Sequence, residues 1–229
     1  NIAAEFTTVR AEMDFRRKPG TVTRRLELSG EELELVAIAM DGRPLDTREY
    51  TAGDEGLVVH EAPDQCTLST EVRIRPADNT ALEGLYQSAE FLITQCEAQG
   101  FRKITMFPDR PDVMTCFSVT IEAERSRFPV LLSNGNLVDQ GDLPGGRHWV
   151  RWEDPFPKPS YLFALVAGDL SHLEDRFSTR SGREVVLRVY VEHENIDRCG
   201  HAMESLKNAM RWDEERFGLE YDLDIYNIV

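Results

Sequence analysis

Gln95 and Glu97 lie two residues apart in the stretch Thr80 to Met114, TALEGLYQSAEFLITQCEAQGFRKITMFPDRPDVM. In an extended segment a period of two places both side chains on one face and turns Cys96 to the other. A carboxylate beside a primary amide can hold an ammonium group, because the carboxylate supplies charge and both side chains supply acceptor oxygens. Taken alone, such a pair in an acidic chain also fits a solvated strand face.

Other catalytic chemistries find less support. His60-Glu61 and His193-Glu194 both begin like H-E-x-x-H, but the fifth position is Asp64 in one and Asp197 in the other. Pro63 also breaks any helix at the first. On a helix, His193 and His201 would be separated by about 80° of rotation and more than two turns of rise, so they cannot clamp a metal as an i, i+4 pair. No nucleophile elbow, Walker loop or dinucleotide fingerprint is present. Cys66, Cys96, Cys116 and Cys199 form no C-x-x-C pair. That spacing argues against a zinc knot or a disulfide-dense module and fits free thiols in a reducing cytosol, so the expected location is cytoplasmic. Cys96 itself reads as a small buried residue.

Length and charge narrow the field further. At 229 residues the chain accommodates one large domain, or a domain and part of another. Its net charge of −15 repels nucleic acid phosphates and anionic lipid heads, which demotes both as partners. No apolar run approaches the roughly 20 residues of a membrane helix. The chain opens on Asn1, not Met, and any leader upstream is not readable from it.

The elements that must position Gln95 and Glu97 are mainly strands. Val22–Leu28, Val36–Met40, Gly56–His60 and Cys66–Ile74 are short alternating segments separated by turn residues such as Asp41-Gly42. Phe117–Ala123, Val130–Ser133, His148–Trp152 and Tyr161–Ala167 continue the pattern. Asn134-Gly135 predicts a two-residue hairpin, and DPFPKP (154–159) predicts a bend. Many short strands with turns every ~8–12 residues describe an antiparallel β-sandwich or saddle-shaped domain.

After Gly168-Asp169 the pattern changes. Arg183–Val191 reads as a strand and about 197–217 as a helix ended by Gly218. Met203, Leu206, Met210 and Phe217 form its apolar face, read as core and not as a cofactor box, with Glu214 interrupting it. Glu204 with Lys207, and Arg211 with Glu215, predict an ion-paired outer face. Leu223–Val229 is apolar to its last residue, which predicts a strand continuing into further sequence.

Several fragments keep a characteristic order: TALEGLYQS, TQCEAQGFR, MFPDRPDV (106–113), DPFPKPSYLFALVAGDL (154–170) and SLKNAMRWDEERFGLEYDLDIYNIV (205–229). In these the chain resembles the bacterial aminopeptidase N family of zinc metallopeptidases, closely from about Thr80 to Val229 and more loosely before it. The resemblance implies an N-terminal β domain at 1–169. Residues 170–229 are then the opening strand, helix and strand of a thermolysin-like α/β catalytic domain.

By the same resemblance, the chain is part of an enzyme that removes single residues from the free amino end of peptides. Glu97 would grip the substrate α-ammonium and Gln95 would line the pocket for the first side chain. Zinc would belong to the full-length parent, activating water for attack on the first peptide carbonyl. No zinc ligand and no catalytic residue is expected within 1–229, and no zinc is expected in this part alone. The implied partners are peptide substrates and the remainder of the chain's own catalytic domain. The competing reading is a noncatalytic β-sandwich binding module or a degenerate family member.

Overall fold

The computed structural model describes residues 1–3 and 5–229. Strands dominate, and the reason is visible in Gln65–Ile74, where Cys66, Leu68, Thr70, Val72 and Ile74 are buried and the residues between them are half-buried. That alternation fits a strand with one face in a core. This strand, β7, lies inside a four-stranded sheet of order β1-β7-β3-β4, with β1 at Thr7–Arg16, β3 at Glu34–Met40 and β4 at Arg43–Pro44. Across a shared core runs β2-β6-β5, with β2 at Leu26–Ser29, β5 at Tyr50–Gly53 and β6 at Gly56–Val59.

A second, larger core joins two further sheets. One has the order β11-β14-β9-β8, built from β8 (Gly84–Ser88), β9 (Phe91–Gln95), β11 (Val130–Ser133) and β14 (Leu165–Gly168). The other is β10-β13-β12, built from β10 (Met114–Glu124), β12 (Asn136–Leu143) and β13 (Arg147–Pro159). The pairings within these four sheets are antiparallel. Trp152 is 2% exposed in this core and donates its indole N–H to the Leu131 carbonyl at 3.1 Å, tying one sheet to the other.

The last sheet differs in kind. β15 (Ser171–Ser178) pairs antiparallel with β16 (Glu184–Val191), and β16 pairs in parallel with β17 (Ile225–Ile228). A parallel pair needs a crossover, and the helix α1 (Gly200–Phe217) supplies it. Val185, Leu187 and Val189 pack with Met203, Leu206 and Met210 of α1 in a core of their own. Gly218 ends the helix in the left-handed region at φ +69°, as its position predicts.

Several sequence expectations need correction. Strand β2 begins at Leu26, not Val22, which is 98% exposed. Thr23 Oγ1 accepts the Arg25 N–H at 3.1 Å, so a side chain takes the place of a ladder there. Asn134-Gly135 makes no hairpin, because β11 pairs with β14 and β12 with β13. The Asn134 side chain instead donates to the Leu162 carbonyl and accepts the Ala164 N–H, so the turn carries the chain between sheets. Tyr161–Ala167 is not one strand: Ser160–Leu162 is a 3-10 turn and β14 starts only at Leu165.

The DPFPKP segment is the end of β13 and not a bend. Thr115 faces Lys158 and Phe117 faces Asp154, so two steps on β10 span four on β13. Pro155 and Pro157 fall inside this bulge, where no ladder donor is required of them. In α1, Glu214 is buried and Phe217 is exposed, the reverse of the expected face. Glu214 Oε1 accepts the Arg180 N–H at 3.1 Å, which is the partner that permits its burial. Lys207 pairs with Asp175 of β15 in place of Glu204. Among the described residues Arg211 and Glu215 form no ion pair, consistent with Arg-before-Glu being the weaker order on a helix.

Leu187 is fully buried beneath α1. Leu187→Ala should lower stability by about 2–5 kcal/mol, through lost burial and a residual cavity. Val22→Ala, at an exposed position, should change it by less than about 0.5 kcal/mol. Urea unfolding midpoints check both, and comparable losses at the two sites would contradict this account of the core.

Candidate functional site

Gln95 is the last residue of β9, and Glu97 follows in the turn that leaves it. The period of two persists across that boundary: Gln95 and Glu97 are exposed, and Cys96 between them is 2% exposed. Both expected residues are therefore at the surface, on either side of a buried cysteine. Gln95 Nε2 donates to the Glu97 carbonyl oxygen at 3.1 Å, which folds the amide alongside the turn. The Glu97–Ala98 peptide bond is cis. Burial, with a smaller contribution from the charge of Asp109, pushes the Cys96 thiol up to about 12, so it is a neutral packing group.

The chain turns sharply after Glu97 because of what lies beneath. Gly100 donates its N–H to the Cys96 carbonyl at 2.9 Å. A Cβ at Gly100 would sit 2.4 Å from the Gln95 carbonyl oxygen, so only glycine fits there. A 3-10 turn over Phe101–Lys103 follows, with Phe101 buried and packed edge-on against Phe107 and Phe163, both at 5.0 Å between centroids.

Charge then anchors the turn. Asp109 is 1% exposed, and its Oδ2 accepts from Arg102 N at 3.1 Å and Arg102 Nε at 3.2 Å. Arg102 Nη2 also donates to the Asp109 carbonyl at 3.1 Å, and Ser160 Oγ donates to Asp109 Oδ1 at 2.5 Å. Arg102 Nη1 lies 3.5 Å from Glu31, and Lys103 Nζ lies 3.6 Å from Glu31 and 3.3 Å from Glu32. This support of Arg102, Asp109 and Ser160 is what sequence reasoning missed. Asp109 was visible only as a carboxylate between prolines in MFPDRPDV, and nothing in residue order says that it is buried.

The residues present do not fit a zinc site. Among the described residues no group of three or more His, Cys, Asp and Glu side chains could hold a metal ion. The His193 ring nitrogens face Ser171 at 2.5 Å and Asp169 at 3.0 Å, and those of His60 face Arg48 and Thr51. No chemical step is assigned to a metal held by 1–229.

Comparison with known proteins places this chain in a family. Residues 2–162 match the model of the Peptidase M1 N-terminal domain. The chain belongs to that family. It is 58% identical over 223 residues to Aminopeptidase N of Caulobacter vibrioides, covering 97% of this chain and 26% of that protein. The structure of Legionella pneumophila aminopeptidase A in complex with aspartic acid superposes with a TM-score of 0.91 at 36% identity, over 96% of this chain and 26% of that one. An M1 zinc metallopeptidase of Deinococcus radiodurans, bound to a Tyr-Ser-Ala substrate, shares the fold with a TM-score of 0.79 at 15% identity, over 97% of this chain and 52% of that one. The chain thus spans about a quarter of the length of the aminopeptidase N it matches.

Cys66, Cys96, Cys116 and Cys199 are all free thiols, and only Cys116 is exposed. In the native state at pH 8, Cys116 should react fast with a disulfide reagent. Cys66 and Cys96 have thiols raised by burial and should react, with Cys199, only on denaturation. Rapid labelling of Cys96 in the folded protein would show that the floor of the turn is open to solvent.

Proposed function

We propose that residues 1–229 are the amino-terminal part of a zinc-dependent aminopeptidase that removes single residues from the free amino end of peptides. In this reading 1–169 is the β domain and 170–229 opens the catalytic domain. The separate core under β15, β16, β17 and α1 supports that division. The parent's zinc is held by residues outside 1–229, and peptide substrates and the rest of the catalytic domain are the partners. A cytoplasmic location agrees with four unpaired cysteines, and the net charge of −15 disfavours nucleic acid.

The observation that carries the reading is the exposure of both Gln95 and Glu97 on either side of a buried Cys96. The Glu97 carboxylate supplies the charge that a peptide α-ammonium requires, and Gln95 supplies orientation beside it. Selectivity then comes from exclusion as much as attraction. A blocked amino end brings no ammonium, and a carboxylate desolvated without a partner is costly.

In the whole protein, Glu97→Ala removes one partner of a desolvated charge pair, a loss of about 2–5 kcal/mol. That corresponds to a fall in kcat/KM of roughly 30-fold to several thousand-fold, with zinc content unchanged. Gln95→Ala should act more mildly and re-rank first-residue side chains. Kinetics on anilides with free and acetylated amino ends test this. The reading fails if Glu97→Ala leaves both activity and discrimination against acetylated substrates intact.

Residues 1–229 by themselves should retain no equimolar zinc after dialysis and hydrolyse no aminoacyl anilide. Metal analysis and a chromogenic assay check this, and turnover with bound zinc would contradict it.

A further inference from the structure

Glu97 stands on a turn that has little to hold it from above. Residues 97–99 are exposed, and the bond from Gln95 reaches the Glu97 carbonyl, leaving the carboxylate to solvent. Whatever aims that carboxylate must act from below, through the backbone of the turn. Two short links run along it: Gly100 N–H to the Cys96 carbonyl at 2.9 Å, and Lys103 N–H to the Gly100 carbonyl at 3.1 Å. The second link closes the turn that contains Arg102, and Arg102 is gripped at three nitrogens by one residue, Asp109.

Asp109 is in turn fixed from a different part of the chain. Ser160 Oγ, at the junction of β13 and the 3-10 turn before β14, donates to its other oxygen at 2.5 Å. The segment before Asp109 is pinned as well, since Ser29 and Phe107 exchange backbone hydrogen bonds at 2.9 and 3.0 Å. A buried carboxylate with both oxygens satisfied, one by a guanidinium and a backbone N–H and the other by a hydroxyl, is a rigid point. Burial first, and the Asp109 charge second, raise the neighbouring Cys96 thiol.

We infer that Asp109 is a positioning residue for the ammonium-gripping carboxylate of Glu97, acting through Arg102. The inference rests on the proposed role of Glu97. Asp109 touches no substrate; it sets where the turn places Glu97 relative to the body of the domain. Asp109→Asn keeps the size of the side chain but removes the charge that holds the guanidinium.

The test uses the whole protein, with kinetics on free-amine and acetylated anilides, thermal unfolding and zinc content measured for each variant. Asp109→Asn should lower the preference for free-amine substrates about tenfold, chiefly through a raised KM, with zinc content unchanged. Ser160→Ala should lower it about threefold by leaving one Asp109 oxygen unpartnered. In a Glu97→Ala background neither substitution should lower the preference further, because the group being positioned is gone.

A merely structural Asp109 would reduce the melting temperature and leave the preference unchanged, and that result overturns the inference while Glu97 keeps its role. An equal loss of preference with and without Glu97 also overturns it. If Glu97→Ala itself leaves the preference intact, the proposed site and this inference fall together. Should Asp109→Asn not fold, Ser160→Ala reads the same coupling with the same two outcomes.

Discussion

The buried carboxylate of Asp109 is the point on which the arrangement around the candidate site turns. A charge that is 1% exposed is tolerable only when its oxygens are fully matched, and here a guanidinium, a backbone N–H and a serine hydroxyl do so. These partners come from two segments: the turn leaving β9 supplies Arg102, with both its guanidinium and its N–H, and the connection between β13 and β14 supplies Ser160. Arg102 also lies near Glu31, which extends the network toward the sheet containing β2. One desolvated charge therefore holds together pieces of chain that no single sheet would align.

Around this point the strands do two kinds of work. The sheet of β8, β9, β11 and β14 packs on that of β10, β12 and β13, and its core includes Phe101, Phe107 and Phe163 directly under the turn. The aromatic rings prefer edge-on contact and so fill this core around Phe101 without requiring a polar partner. The remaining pair of sheets carries its own core, with Leu28, Leu57 and Leu68 among its members.

The segment from β15 to β17 follows different physics. Its sheet mixes antiparallel and parallel pairing, its crossover helix buries Met203, Leu206 and Met210, and the acidic Glu214 completes the buried stripe because Arg180 offers a backbone N–H. Trp212 and Phe217 remain exposed, packed edge-on to each other at 5.1 Å. Helical periodicity alone assigned Phe217 to the core and Glu214 to the break. Glu214 is buried because the Arg180 N–H meets its carboxylate, and Phe217, the last helical residue, packs against exposed Trp212 instead.

Alternation and turn chemistry were legible without coordinates where they act locally. Cys66–Ile74, Val130–Ser133 and Arg183–Val191 all appear as strands close to their expected limits, Gly218 caps the helix, and Cys96 is buried between exposed Gln95 and Glu97. What residue order could not supply is which strands become neighbours. Asn134-Gly135 has the residues of a hairpin, yet its amide is taken by Leu162 and Ala164, distant in sequence, and the flanking strands enter different sheets. Pro155 and Pro157 stay in a strand because a bulge opposite β10 relieves them of donors. The burial of Asp109 belongs to the same class. A carboxylate can leave water only when partners from elsewhere in the chain arrive together, so the burial of Asp109 was decided by tertiary contact, while the burial of Cys96 between exposed Gln95 and Glu97 follows the local alternation.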